Sequence, residues 1–325
     1  ITLPLRYLWK ISRNATTEKT NFIVTVRHGE RSGRGEAAPN VRYGETPELL
    51  SAQFRRFTET APDDFSSAEE LQSHCDAVET SFALRFAIES AWLHLKSGGR
   101  RSTFQQRLGV PFRENAPTSY TIPIMDPGEL RDFHQRENLS RFSQIKLKVN
   151  RESALELVRV LTDFTGQTVL LDANESFTDV EECIRFLEKV RKLNIELVEQ
   201  PLPSSLTEES AYLKKYCPFP LFADEAITHD PDFDTLVKCF DGINMKLMKA
   251  GGYMQGLNIL CEARKRGMRT MIGCMVETSL GISSALNLAG LGAFPNPARA
   301  RVVWVGVHGA RARMCAAVAL LPHAR

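Results

Sequence analysis

From about residue 119 the chain alternates between two kinds of hydrophobic pattern. Short, mainly apolar runs are followed by longer stretches in which apolar residues recur every three or four positions. The short runs fall at 119–124, 144–149, 168–173, 195–199, 220–224, 242–247, 269–274 and, more faintly, 301–307, and read as strands. The stretches between them, at 151–164, 178–192, 206–216, 231–238, 252–266 and 279–290, read as helices. Gly166, Gly242 and Gly267 stand where a helix gives way to the next strand, as a C-cap or tight turn requires. Strands alternating with helices imply parallel pairing through right-handed crossovers. The pattern predicts an α/β fold, a (β/α)8-type, TIM-like barrel domain over residues 116–325. The rival is an open doubly wound sheet, but its GxGxxG phosphate loop is missing. Gly33-Arg34-Gly35 lacks the third glycine and precedes no helix.

Residues 1–115 read as an α+β capping domain ahead of the barrel. Residues 21–27 form a strand by their β-branched content, and Gly33, Gly35, Pro39 and Gly44 punctuate a loop after it. Ser66-Ser67-Ala68-Glu69-Glu70 has the layout of a helix N-terminus. Val78, Phe82, Leu84, Phe86, Ala87, Ala91, Trp92 and Leu95 recur at helical spacing and predict a helix over 77–96, stopped by Ser97-Gly98-Gly99. The far end of the chain changes character. No Asp, Glu or Lys follows Glu277, and residues 295–325 carry five arginines among Ala, Val and Pro. This atypical tail reads either as a degenerate last strand and helix or as a reading-frame error.

Polar residues close several of the apolar runs. They are Lys146-Leu147-Lys148, Asp172-Ala173-Asn174, Val198-Glu199-Gln200-Pro201, Ala223-Asp224-Glu225 and Asn244-Met245-Lys246. In a barrel, strand C-termini are where an active site is built. Side chains two apart on a strand share a face, so Lys146 and Lys148 point together. Asp172, Glu199 and Asp224 on successive strands offer hard oxygen ligands suited to Mg²⁺. Glu225 alternates away from Asp224 and is left out of the site. Lys249 reads as a lysine snorkelling past the rim. Asn174 reads either as outer support for the metal or as a cap of the next helix. Lys246, on the sixth strand, lies across the barrel from Lys148 on the second. A carboxylate held between them presents its α-carbon to an amine on each face, so one lysine can remove the α-proton and the other can return one. Burial, a second ammonium and a nearby divalent cation all lower a lysine pKa toward neutrality, where it serves as a base. The carbon acid is very weak, so the oxyanion must be strongly stabilised.

Composition narrows the class without changing this picture. The chain has 325 residues, 43% hydrophobic and 25% charged, with a formal net charge of +2 and a pI near 8.2. That balance gives no reason to expect nucleic acid or an acidic membrane surface as partner, and no apolar run reaches the length of a membrane span. The opening Ile1-Thr2-Leu3-Pro4 has neither an initiator Met nor a signal-peptide layout, and we expect a few residues to precede it. Seven scattered cysteines without a CxxC pair fit reduced thiols in a cytoplasmic protein.

Taken together the strings resemble the enolase superfamily, and within it the dipeptide epimerases of the muconate-lactonizing subgroup. Gly35-Glu36-Ala37-Ala38-Pro39 and Tyr43-Gly44-Glu45-Thr46 extend the likeness into the first module, so that it spans about residues 3–290. A Lys base paired with Mg²⁺ is the general pattern of enolase-type sites and is not deduced from this spacing. The resemblance implies Lys148 and Lys246 as the acid/base pair and Asp172, Glu199 and Asp224 as ligands of a Mg²⁺ cofactor. It implies Lys146 as a contact to the substrate carboxylate, Thr121 and Cys274 as pocket-lining residues, and Arg13 as a holder of a distal carboxylate. Its implied reaction is epimerisation of a small-molecule dipeptide of the L-Ala-D/L-Glu type, in peptidoglycan recycling, with a homo-oligomer left open. It also implies an Asp-x-Asp after the eighth strand that binds the dipeptide ammonium, and this chain has none. Cycloisomerisation of a muconate-type diacid, synthesis of o-succinylbenzoate, and a non-catalytic barrel that binds Mg²⁺ and a ligand are the alternatives.

Overall fold

The computed structural model describes residues 1–111, 118–289 and the backbone of 303–306. The expected domain boundary at 115/116 lies outside these residues, as does the tail at 295–325 apart from that last strand. The chain opens with two antiparallel hairpins, β1 (Thr2–Lys10) with β2 (Ala15–Thr20), and β3 (Phe22–His28) with β4 (Arg31–Ala37). Four helices follow: α1 (Pro47–Thr60), α2 (Ala68–Ala77), α3 (Phe82–Lys96) and α4 (Arg101–Leu108).

Two expectations for this region are corrected. Gly33 and Gly35 lie inside β4 rather than in a loop. A Cβ on Gly35 would sit 2.0 Å from the Ala87 carbonyl oxygen, so glycine is what lets the apolar helix α3 lie directly on the strand. The helix expected over 77–96 begins only at Phe82, because Ala77 ends α2. Glu79 takes a φ of 54°, the backbone turns, and Gln53 accepts hydrogen bonds from the Ser81 N–H and hydroxyl where α3 begins.

The second part is a closed ring of eight parallel strands. They are β5 (Thr118–Ile122), β6 (Gln144–Lys148), β7 (Thr168–Asp172), β8 (Ile195–Glu199), β9 (Leu221–Ala223), β10 (Gly242–Lys246), β11 (Arg269–Gly273) and β12 (Val303–Gly306). The faint eighth run is therefore a strand, and it closes the ring by pairing with both β11 and β5. Helices α5 (Leu130–Arg136), α6 (Ala154–Phe164), α7 (Val180–Val190), α8 (Thr207–Tyr216), α9 (Phe233–Cys239), α10 (Leu247–Ala250), α11 (Tyr253–Lys265) and α12 (Ser279–Leu286) supply the connections. Helices α6 and α7 turn apolar stripes inward, Leu157, Val158 and Leu161 of α6 and Phe186, Leu187 and Val190 of α7. Among the described residues no helix is long and apolar enough to cross a membrane.

Register sets the level of the site. Lys148 pairs with Asp172, and Asp172 pairs with Glu199 on the next strand. Lower in the ring Leu170, Leu197, Phe222 and Met271 form a separate buried cluster, an apolar plug beneath the polar layer. Gly242 leaves room for it, because a Cβ there would meet the Phe222 ring at 2.5 Å.

Two buried glutamates join the first part to the barrel. Glu36 of β4 accepts from the Thr278 and Gly281 N–H groups, both at 2.8 Å, at the start of α12. Glu89 of α3 accepts from the Tyr253 N–H at 2.6 Å, at the start of α11. A carboxylate at a helix N-terminus satisfies orphan donors and complements the helix dipole.

Candidate active site

Asp172 ends β7 and Glu199 ends β8, while Asp224 follows the last residue of β9. All three are buried, and one carboxylate oxygen from each lies within 4.8 Å of the others. Three anions this close in a dry site repel one another strongly and require cations among them. Lysines surround them. The Lys146 Nζ is 2.7 Å from both Asp172 Oδ2 and Glu199 Oε2. Lys148 Nζ donates to Asp172 Oδ2 at 2.8 Å and to Asn174 Oδ1 at 2.7 Å. Lys246 Nζ donates to Asp224 Oδ2 at 2.7 Å. Asn244 Nδ2 donates to Glu199 Oε1 at 2.8 Å, and the Asp224 N–H donates to Gln200 Oε1 at 3.0 Å. The first bond orients the Glu199 carboxylate, and the second holds the backbone that carries Asp224.

The donor set fits a hard divalent cation: three carboxylates, all oxygen, on adjacent strand ends, each held by a neighbour. Burial works to raise the Asp172 and Asp224 carboxyls, but the flanking ammonium groups outweigh it and hold both below the usual range. Burial dominates at Glu199 and, with repulsion from Asp172 and Asp224, pushes its carboxyl up despite Lys146. An acid held up by its neighbouring acids binds a shared cation with a gain that a solvated carboxylate does not have.

The expected lowering of the lysine pKa values is corrected for Lys146 and Lys246. Burial acts downward on Lys146, but Asp172 and Glu199 outweigh it and raise the ammonium above its ordinary value. Lys246 is raised likewise, burial being outweighed by Asp224 and Glu199. The acids dominate because each lysine sits in direct contact with one. A divalent cation bound among the acids acts in the opposite direction.

Two further expectations fail. Lys249 is not at the rim: it is 4% exposed and donates to Asp224 Oδ1 at 2.7 Å. It lies in α10, three positions after Lys246, so one helical turn carries it back to the same acid. Burial lowers its pKa despite that pairing. Glu225 is 5% exposed and belongs to the site wall, where its Oε1 accepts from Arg13 Nη2 at 2.7 Å and from Asn174 Nδ2 at 3.3 Å. Strand β9 ends at Ala223, so strict alternation no longer governs Asp224 and Glu225.

A cavity of about 250 Å³ opens above the acids, and Arg13, Thr121, Lys146, Lys148, Asp224, Lys246 and Cys274 all line it. Thr121 is fully buried, and its Oγ1 has no hydrogen-bond partner among the described residues. Of the three acids, Asp224 lines the cavity. The first part of the chain supplies the outer wall through Trp9, Ile11, Val41, Arg42 and Tyr43. Sequence reasoning assigned none of these five a role. Trp9 lies in β1, Ile11 in the turn after it and residues 41–43 in a single 3-10 turn, and their packing on the barrel leaves no periodic signature.

Comparison with known proteins agrees with this geometry. The family described as Enolase C-terminal domain-like matches residues 129–313. An L-Ala-D/L-amino acid epimerase of Pedosphaera parvula is 32% identical over 301 residues, covering 89% of this chain and 85% of the relative. An L-Ala-D/L-Glu epimerase of Bacteroides thetaiotaomicron is 27% identical, covering 87% and 74%. Among solved structures, an Agrobacterium tumefaciens enolase family member with homology to dipeptide epimerases, with bound sodium and L-Ala-L-Glu, is similar at a TM-score of 0.78 and 28% identity. That likeness covers 89% of this chain and 86% of the other. With the barrel, the three converging acids and the flanking lysines, this match places the chain in the enolase superfamily, to which it belongs.

Proposed function

We propose that this chain is an isomerase that epimerises a dipeptide of the L-Ala-D/L-Glu type through a Mg²⁺-dependent, two-base 1,1-proton transfer. The observation that carries the reading is the placement of Lys148 and Lys246. They end β6 and β10, which have three strands between them in either direction around the ring. Two amines so placed face each other across the axis, each bonded to one of the converging acids.

Asp172, Glu199 and Asp224 would hold Mg²⁺, which supplies positive charge against the electrons that gather on the substrate carboxylate. Lys146, 3% exposed, contacts that same carboxylate and adds a second fixed charge. Lys148 takes the α-proton from one face. Lys246, held as an ammonium by Asp224 and Glu199, delivers a proton to the other face, and the stereocentre inverts. The reverse reaction exchanges the roles. Thr121 and Cys274 line the space beside the reacting carbon. The names of the relatives support a dipeptide substrate, and recycling of peptidoglycan peptides in the cytoplasm is the setting proposed for it.

The test is incubation of the purified protein with L-Ala-L-Glu and Mg²⁺, following the L-Ala-D-Glu formed by chiral chromatography. Turnover should appear with Mg²⁺, vanish on chelation and return when Mg²⁺ is restored. Turnover indifferent to chelation would overturn the metal assignment. Conversion of a muconate-type diacid in place of any dipeptide would overturn the substrate class.

A further inference from the structure

The loop between β1 and β2, residues 11–14, reaches across the cavity onto the ends of two barrel strands. Ser12 Oγ donates to the Asn174 carbonyl at 2.7 Å, and Arg13 Nη1 donates to the same carbonyl at 3.1 Å. Arg13 also pairs with Glu175, and its Nη2 donates to Glu225 Oε1 at 2.7 Å. Glu225 Oε1 accepts in turn from Asn174 Nδ2, and Asn174 Oδ1 accepts from Lys148 Nζ at 2.7 Å. A continuous line of contacts therefore runs from the loop to the amine. It also fixes which way the amide points. A carboxylate can only accept from Nδ2, so the opposite end of the amide, Oδ1, must face Lys148.

Asn174 needs such support. Its φ is 43° and that of Glu175 is 63°, two consecutive non-glycine residues in the left-handed region. The loop holds that turn by its carbonyl, and Glu225 holds it by its amide. Arg13 pairs with both Glu225 and Glu175.

We infer that Arg13, Glu225 and Asn174 are positioning residues for Lys148, so that seating of the 11–14 loop over the cavity aligns the base on one face of the substrate. This inference rests on the proposed two-base epimerisation. Lys246 donates its hydrogen bond to Asp224 instead, and Glu225 reaches it only through space.

That asymmetry gives the test. Each epimer is incubated separately in D₂O, and α-deuterium in recovered, uninverted substrate is measured for wild type, Arg13→Ala, Arg13→Lys, Glu225→Gln and Arg13→Ala/Glu225→Gln. Arg13→Ala should lower kcat by about 10- to 100-fold, the scale of a misplaced catalytic group. Its KM should stay within about twofold of wild type, equally for L-Ala-L-Glu and for L-Ala-L-Leu. Exchange should collapse for the epimer whose proton faces Lys148 and persist for the other. Arg13→Lys should recover part of the loss, and the double variant should be no worse than the worse single one. Equal loss for both epimers would overturn the inference. So would a rise in KM confined to L-Ala-L-Glu, which would make Arg13 a substrate contact. Wild-type protein that exchanges neither epimer with Mg²⁺ present would overturn the functional reading itself, and the positioning role with it. Circular dichroism melts of each variant confirm that folded protein is compared.

Discussion

Replacing Glu277 by Gln should stabilise this protein at alkaline pH and leave it nearly unchanged in acid. Glu277 lies in the turn after β11, next to the cavity-lining Cys274, Met275 and Val276, and is 7% exposed. Its Oε1 accepts from the Met275 N–H at 2.7 Å, and a Cβ on Gly281 would sit 2.3 Å from its other oxygen. Burial, then repulsion from Glu36, pushes the carboxyl from 4.5 up to about 8. A carboxyl whose folded pKa exceeds its unfolded value stabilises the fold while it keeps its proton. That contribution is complete below 4.5 and is lost as pH rises to about 8. At ~1.36 kcal/mol per pH unit the whole interval corresponds to about 5 kcal/mol, of which roughly 3 kcal/mol is gone by pH 7. Gln keeps the acceptor for Met275 and removes the charge. Urea unfolding of both proteins at pH 5, 6, 7 and 8 reads the effect. The gap should be below about 1 kcal/mol at pH 5 and widen steadily toward pH 8. A gap that stays constant with pH would refute the reasoning, since it would show that Glu277 carries the same charge in the folded and unfolded chains.

Three other outcomes follow from the same contacts. Lys249→Met leaves Asp224 with one ammonium in place of two, and urea unfolding should show a loss of about 1.5–3 kcal/mol, the worth of one charge-assisted hydrogen bond. Gly242→Ala drives a methyl into the Phe222 ring and should cost about 1–3 kcal/mol, partly recovered by Phe222→Leu in the double variant. Mg²⁺ at a hundredfold excess over its Kd should add about 2.7 kcal/mol to stability, read as a rise in Tm, and Asp224→Asn should abolish the rise.

The barrel was legible because its strands and helices differ in period, and because buried strands read as apolar runs. The acids and lysines at strand ends were legible for a related reason: a charge closing an apolar run contradicts burial and stands out. What lies past the strand ends was not. Glu225 follows a strand that stops at Ala223, and Lys249 follows one that stops at Lys246, so an alternation rule extended beyond the ladder misplaces both. Glycine in β4 carried two meanings, loop punctuation and close approach of a helix, and only the position of Ala87 separates them. The helix expected over 77–96 has its apolar spacing intact, but the spacing does not register the reversal at Glu79. The cavity's outer wall was invisible because Trp9, Val41 and Tyr43 meet Thr121 and Lys246 only through the packing of two parts distant in sequence.

Single-lysine replacements measured one face at a time test the central claim most directly. Lys148→Ala and Lys246→Ala proteins are each given the two pure epimers in D₂O with Mg²⁺, and α-deuterium is read by mass spectrometry. Neither variant should interconvert the epimers. Each should still exchange one epimer, and the epimer retained should differ between the two. If both variants exchange the same epimer, or if either epimerises at the wild-type rate, the lysines do not act from opposite sides of the substrate.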